Sequence, residues 1–371
     1  MVKTEEMANE KTVPGRVPTG WKETSYKEIF KLASGSPLSQ KDMGEGDYPV
    51  YGGNGIAGYH NAYNFEEPQL VIGRVGAKCG VVHMTPAQSW ITDNALYVKE
   101  KLADVDDRFM YYKLTYEDLN QHANKNAQPV ISGGRIYSIK TILPDVGEQK
   151  KIADVLAAWD LAIGLHMQLI GQKIERRKGL MQKLLTGKMR LPGFSGEWRQ
   201  VRLGDLADIY QPKTISRKDL KESGYPVYGA NGLIGYYDQY NHETWQVIIT
   251  CRGSTCGTVN KTDGKAWVTG NAMVINADGH SHVIDKEFLY YLNLIQDFSK
   301  IIGGSGQPQI TKKPLEDFVV NIPSDPGEQQ ELARFFSQAD KEIELLERKV
   351  SEIETQKDGL LGLLMTGKVR V

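Results

Sequence analysis

Residues 48–63 read YPVYGGNGIAGYHNAY, and residues 225–240 read YPVYGANGLIGYYDQY. Ten of these sixteen positions are identical, at an offset of 177. Working outward, Trp21 answers Trp198, Gly76 answers Gly253, Gly80 answers Gly257, Trp90 answers Trp267 and Asn94 answers Asn271, all at that offset. Further on, FMYYKL from Phe109 answers FLYYLN from Phe288, and Gln128-Pro129 answers Gln307-Pro308, at 179. Gly147-Glu148-Gln149 answers Gly327-Glu328-Gln329, and Thr186-Gly187-Lys188 answers Thr366-Gly367-Lys368, at 180. The drift assigns short insertions to loops of the second copy. The chain is therefore a tandem duplication of one long unit, which fills half of it, and not a short-period solenoid.

At 371 residues the chain is long enough for two or three domains. Hydrophobic residues at 40% and charged residues at 25% describe an ordinary globular composition. With 45 basic and 46 acidic residues there is no global polycation, so any nucleic-acid surface has to be local. Residues 1–16 are charged and lack an apolar core; they are expected to be a mobile arm and not a signal peptide. No run approaches the eighteen or so apolar residues of a bilayer span, and no membrane partner is expected. The expected address is cytoplasmic.

Each repeat has two parts. Residues 17–146 and 191–326 are rich in Gly, Tyr and Asn, with strand-length runs such as QLVIGRV, GVVHM and QVIITCRG. The segments DRFMYYKLTYEDLNQ and KEFLYYLNLIQDFSK carry a helical pattern, which makes each part an α+β globular domain.

The parts that follow, residues 147–190 and 327–371, change character. Phe336, Ala339, Ile343, Leu346, Val350, Ile353, Lys357, Leu360 and Leu364 alternate spacings of three and four, a sustained heptad seam. Leu156, Trp159, Ile163, Ile170, Leu180 and Leu184 hold the same seam in the first copy, interrupted by His166, Lys173 and Arg177. A helix of about 40 residues spans about 60 Å, so each needs a partner and the other is at hand. Residues 147–190 hold nine Lys/Arg and four Asp/Glu, with a basic cluster in the second half. Residues 327–371 hold seven and nine, with the acids in the first half. Those clusters meet only if the helices run antiparallel. The expected fold class is α+β: two pseudo-symmetric globular domains joined by two long antiparallel coiled-coil helices, one domain at each end of a rod.

Motifs of chemistry are missing. The chain has no GxxxxGK[ST] loop, no Asn/Asp-Pro-Pro-aromatic segment, no strand-borne GxGxxG, no HExxH and no GxSxG. Cys79, Cys251 and Cys256 lack CxxC spacing, which favours neither a disulfide framework nor a zinc site. Cys79 and Cys256, at equivalent positions, are expected in the core. No catalytic residue, metal or cofactor of its own is assigned to the chain.

LLTGKMRLPGFSGEWRQVRLGDLADI, from Leu184 to Ile209, resembles the join between halves in specificity subunits of bacterial type I restriction-modification systems. ILPDVGEQKKIADVLAAWDLAI from Ile142, and NIPSDPGEQQELARFFSQADKEI from Asn321, resemble the starts of that family's two long helices. The resemblance covers nearly the whole chain. It implies two target recognition domains, each reading one half of a split double-stranded DNA target, and a helix pair that spaces them. It also implies partners: two methyltransferase subunits, which bind S-adenosylmethionine and methylate flipped adenines, and motor-nuclease restriction subunits.

Positions identical in both copies serve what the copies share, so base readers are sought where the copies differ. These candidates are His60, Asn61, Arg74 and Lys78 in the first copy, and Tyr237, Asp238, Arg252 and Thr255 in the second. HANKNAQPVISGGR faces GGSGQPQITKK near the end of each domain, adding Lys125, Asn126, Gln128, Ser305, Gln307 and Gln309, whose amide and basic groups suit major-groove edges. Tyr51 and Tyr228 read as packing residues. The competing reading is a tandem scaffold that binds a glycan or a protein, which leaves the TGK to LPGFSGEW join without a reason.

Overall fold

The computed structural model describes residues 17–124, 128–230, 232–304 and 306–371; the expected N-terminal arm lies outside the described residues. The chain forms two compact units. Unit 1 comprises the described residues up to His166 together with Lys349–Val371, and unit 2 is the continuous stretch Met167–Arg348.

The strands of unit 1 are β1 (Lys22–Ser25), β2 (Phe30–Ser34), β3 (Tyr48–Gly52), β4 (Gly55–His60), β5 (Leu70–Gly73), β6 (Val82–Met84), β7 (Trp90–Ile91), β8 (Ala95–Lys101) and β9 (Lys140–Leu143). They build a four-stranded antiparallel sheet ordered β2-β8-β5-β6, a three-stranded sheet ordered β4-β3-β7, and the ribbon β1-β9. Helices α1 (Tyr26–Ile29), α2 (Asp107–Tyr116) and α3 (Gly133–Tyr137) precede the long α4 (Val146–Leu184).

Unit 2 repeats this plan with β10 (Trp198–Arg202), β11 (Asp208–Tyr210), β12 (Tyr225–Gly229), β13 (Gly232–Tyr237), β14 (Val247–Thr250), β15 (Val259–Lys261), β16 (Trp267–Val268), β17 (Ala272–Asn276) and β18 (Val319–Pro323). Its sheets run β11-β17-β14-β15 and β13-β12-β16, with the ribbon β10-β18. Helices α5 (Lys286–Leu294) and α6 (Lys312–Glu316) correspond to α2 and α3, and α7 (Pro326–Met365) to α4.

Local sequence explains these elements. All four residues of β5 (LVIG) and of β14 (VIIT) are buried, as a continuous apolar run requires when both faces of a strand are covered. Asp106 accepts from Phe109 N–H at 3.0 Å to start α2, and Asp285 accepts from Phe288 N–H at 2.8 Å to start α5. Phe109 and Phe288 then sit at the centre of their respective cores. Cys79 and Cys251 are buried, whereas Cys256 is half-buried.

The long helices run antiparallel within each unit. In unit 2, Lys173 pairs with Glu342 at 2.7 Å and Arg177 pairs with Asp340. In unit 1, Asp160 pairs with Lys357. Every anticipated seam residue is buried or half-buried, and the polar seam positions Arg177 and Lys357 form matched triads. Tyr291 donates to Asp340 at 2.8 Å beside Arg177, and Tyr112 donates to Asp160 at 2.6 Å beside Lys357. Toward the helix ends the heptad gives way to wider burial. Leu361, Leu364 and Met365 enter the core of unit 1, and Met181, Leu184 and Leu185 enter that of unit 2. Among the described residues α4 alone is long and apolar enough to cross a membrane on length and composition, which corrects the sequence reading. The seam with α7 takes up only part of that apolar character, because Leu161, Leu165, Met167 and Leu169 of the same helix are exposed.

The helices are also shorter than the expected segments 147–190 and 327–371, ending at Leu184 and Met365. Gly187 and Gly367 follow at φ +71° and +66°, a left-handed conformation that favours glycine. Met189 N–H then bonds Lys183 O, and Lys368 N–H bonds Leu363 O, each at 3.0 Å, capping the last turns. This turn directs one arginine back across each unit. Arg190 makes a bidentate pair with Glu328 at 2.6 and 2.5 Å, and Arg370 makes one with Glu148 at 2.5 and 2.7 Å. The neighbouring Gln149 accepts from Asp106 N–H at 3.0 Å and donates to Pro144 O at 2.9 Å; Gln329 does the same at Asp285 and Pro323. The two repeated motifs thus complete each other across copies: GEQ of one copy meets the segment after TGK of the other.

Glu328 is 1% exposed, so removing its partner strands a buried carboxylate. Arg190→Ala is expected to lower unfolding free energy by about 3 kcal/mol. Urea denaturation checks this, and Arg190→Ala combined with Glu328→Leu should recover part of the loss.

Candidate nucleic-acid interface

In unit 1 the chain leaves β5, turns through residues 74–80 and returns as β6. Gly76 N–H donates to Pro129 O at 2.9 Å, Ile131 N–H donates to Arg74 O at 2.9 Å, and Val75 bridges Val130. These bonds fasten the turn that carries Arg74 and Lys78 to the segment that carries Gln128. Unit 2 uses the same backbone pattern. Gly253 N–H donates to Pro308 O at 3.1 Å, Ile310 N–H donates to Cys251 O at 3.0 Å, and Arg252 bridges Gln309. Arg252 and Thr255 are thereby joined to Gln307 and Gln309. Two separate sequence regions converge in each unit because loop backbone bonds tie them together, with Ile131 and Ile310 anchoring the second segment in the core. Lys125, Asn126 and Ser305 lie outside the described residues.

Lys78, Gln128, Arg252 and Gln307 are exposed, and Arg74, Thr255 and Gln309 are half-buried. Arg74 donates to Ser34 Oγ at 3.1 Å. The residue equivalent to Ser34 is Gln211, which donates to Gly270 O and faces Cys251 Sγ at 3.9 Å. Ser34 and Gln211 were not singled out in the sequence. They differ between copies as the other candidates do, but no sequence spacing links Ser34 to Arg74 or Gln211 to Cys251.

The remaining candidates sit elsewhere. His60 closes the far end of β4, opposite Tyr48, with its ring edge-on to Trp90 at 5.2 Å and Nδ1 3.0 Å from Asp42 O. Tyr237 closes β13 opposite Tyr225, edge-on to Trp267 at 5.3 Å. Asp238 is paired with Lys221 at 2.5 Å, and that hydrogen bond holds its carboxyl below the usual carboxylate range. Asn61 is exposed just beyond His60. Five extended residues, about 17 Å, separate His60 from the turn between β3 and β4. The structure therefore divides the candidates into a loop cluster and a hairpin base, which it does not bring together.

The hairpin turn itself belongs with the loop cluster. A Cβ on Gly73 would lie 2.0 Å from Gly53 O, so the turn rests directly on the end of β5. In unit 2 the Thr250 hydroxyl donates to Ala230 O at the same place. The hairpin walls are packed: Tyr51 and Tyr228 are buried, and Tyr228 donates to Asp263 at 2.9 Å. Burial pushes both phenols above their ordinary pKa. Among the described residues no group of three or more His, Cys, Asp or Glu side chains could hold a metal ion.

A family model for the type I restriction modification DNA specificity domain matches residues 18–176 and again residues 195–355. The chain belongs to this family. Each match runs from a globular domain into the long helix that follows it. The chain is 24% identical to the type I restriction enzyme MjaVIII specificity subunit of Methanocaldococcus jannaschii, over 96% of this chain and 94% of that protein. It is 33% identical to the EcoprrI specificity subunit of Escherichia coli, over 38% of this chain and 36% of that protein. Among solved structures, the S subunit of a type I restriction-modification system from M. genitalium shares the fold. Its TM-score is 0.65 at 18% identity, covering 93% of this chain and 96% of that one. A chain from a structural study of type I complex assembly and conformational transition also shares it, at TM-score 0.59 and 15% identity, covering 96% and 100%.

Lys78 is exposed, and Lys78→Ala is expected to reduce the slope of log affinity against log salt by about 1, as loss of one phosphate contact does. Fluorescence anisotropy of labelled double-stranded DNA titrated at several salt concentrations measures this. His60→Ala should leave that slope unchanged and instead lower the melting temperature, since its ring packs on Trp90.

Proposed function

We propose that this specificity subunit reads a split double-stranded DNA target, unit 1 taking one half and unit 2 the other. The observation that carries this reading is the same loop cluster built twice, on one scaffold, from different side chains: Arg74, Lys78 and Gln128 against Arg252, Thr255, Gln307 and Gln309. A shared backbone with exchanged side chains is what two recognition surfaces for two half-sites require. Arginine and glutamine suit purine edges, and exposed lysine suits phosphate.

In this reading α4 and α7 fix the spacing between half-sites, as rigid protein geometry does in dimeric DNA readers. They also dock two methyltransferase subunits. Exposed leucines support the docking role: Leu161 and Leu165 in the unit 1 part of α4, and Leu345 in the unit 2 part of α7. The chain itself performs no bond chemistry. Adenine methylation belongs to the methyltransferase partners, which supply S-adenosylmethionine, and restriction belongs to motor-nuclease subunits, all in the cytoplasm with the host DNA. A near-neutral chain leaves much of the phosphate grip to those partners.

The test is co-expression with the cognate methyltransferase in a host lacking both, followed by single-molecule sequencing of adenine methylation. A two-part motif should appear only when this chain is present. A soluble complex that yields no new methylation would count against the reading and favour a scaffold that binds something else.

A further inference from the structure

We infer that the tips of the β3–β4 and β12–β13 hairpins form the apolar part of base readout, with Ile56 in unit 1 and Leu233 and Ile234 in unit 2 lying against base edges in the major groove. This rests on the DNA reading above and adds to it a set of residues of a different chemical kind.

Ile56 is 54% exposed, and Leu233 and Ile234 are 51% and 45% exposed. The core of neither unit contains any of the three, and the fold gains little from large aliphatic groups facing water. Yet both units place them at the same address, one step from the hairpin turn: Ile56 opposite Tyr51, and Leu233 opposite Tyr228. Strands β4 and β13 are the outer strands of their sheets. Among the described residues, backbone bonds from neighbouring chain reach the edge of each strand at the far end, where Gly44 N–H bonds Tyr59 O and Lys221 bridges Tyr236. Ile56 and Leu233 lie beyond those bonds and are exposed.

Charge distinguishes the two ends of the unit 1 hairpin. The base lies beside the acidic stretch Asp42, Glu45 and Asp47, an unfavourable neighbour for phosphate. The turn rests on the end of β5, immediately before Arg74 and Lys78. In unit 2 the equivalent turn is hydrogen-bonded to Thr250, two residues before Arg252. An exposed aliphatic side chain beside cations and amides matches the mixed demand of a major-groove edge. There the thymine methyl needs an apolar partner and the purine edges need donors. A two-stranded ribbon is also of a size that the groove admits. The unit 1 position after Ile56 is Ala57, whereas unit 2 has Ile234, so the two tips offer different shapes.

The test uses the complete complex with its methyltransferase. Ile56→Ala, Leu233→Ala with Ile234→Ala, and the control Leu102→Ala, an exposed leucine beyond β8, are each co-expressed and the host DNA is sequenced for adenine methylation. Ile56→Ala should relax one base position in one half of the motif, or cut methylation at intact sites about tenfold, and leave the other half alone. The Leu233/Ile234 double variant should act on the opposite half, and Leu102→Ala on neither. An unchanged motif and extent of methylation in both hairpin variants would overturn the inference while leaving the DNA reading intact. Loss of co-purification with the methyltransferase would overturn it differently, by placing the hairpins at a protein interface. Absence of any split motif with the wild-type chain would remove the DNA reading and this inference with it.

Discussion

A helix of about 40 residues carries more apolar surface than one small domain can cover, and the chain makes two of them. Most of what the structure does follows from that constraint. Within each unit a stretch of α4 lies antiparallel to a stretch of α7, and the helix ends enter a globular core. Apolar burial holds the pair. The ion pairs of Lys173, Arg177 and Lys357 with acids on the facing helix set its direction, because the opposite orientation would set like charges against each other.

The same constraint explains why the identical motifs of the two copies are identical. Within one copy, GEQ and TGK stand at opposite ends of one long helix, too far apart to meet. Their work is done across copies. Glu148 holds Arg370 and Glu328 holds Arg190, while Gln149 and Gln329 tie down the segments that start α2 and α5. The two buried glutamates are satisfied by those arginines. Side chains do differ between copies in the loop clusters, where the backbone bonds of 74–76 with 129–131 match those of 251–253 with 308–310.

Much of this architecture was legible in the residues. Heptad spacing exposed the seam, the opposed charge clusters gave the helices their direction, and the 177–180 offsets gave the duplication. The convergence of residues 74–78 with 128, and of 252–255 with 307–309, was legible as a list of candidates but not as a place, since it rests on backbone bonds between distant loops. The cross-copy pairing of arginine with GEQ was invisible for the same reason: no local period connects Arg370 to Glu148. His60 and Tyr237 show the limit of reasoning from difference alone. They vary between copies, yet each ring lies edge-on to a tryptophan at the base of its hairpin. Ile56 and Leu233 were overlooked because an aliphatic residue in a strand pattern reads as core until its exposure is seen.

The division into units bears on how the chain is made. Unit 2 is continuous, and once residue 348 has left the ribosome every segment it needs is present. Unit 1 is split. Its core includes Leu361, Leu364 and Met365, Lys113 in α2 donates to Met365 O at 3.0 Å, and Arg370 donates to Thr19 O at 2.8 Å. The half synthesised first is therefore the half completed last. Throughout translation it stands open on the side that the end of α7 will close, with apolar surface and a lysine awaiting their partners. Synthesis from the N-terminus ordinarily lets domains close in sequence order, and this topology reverses that order.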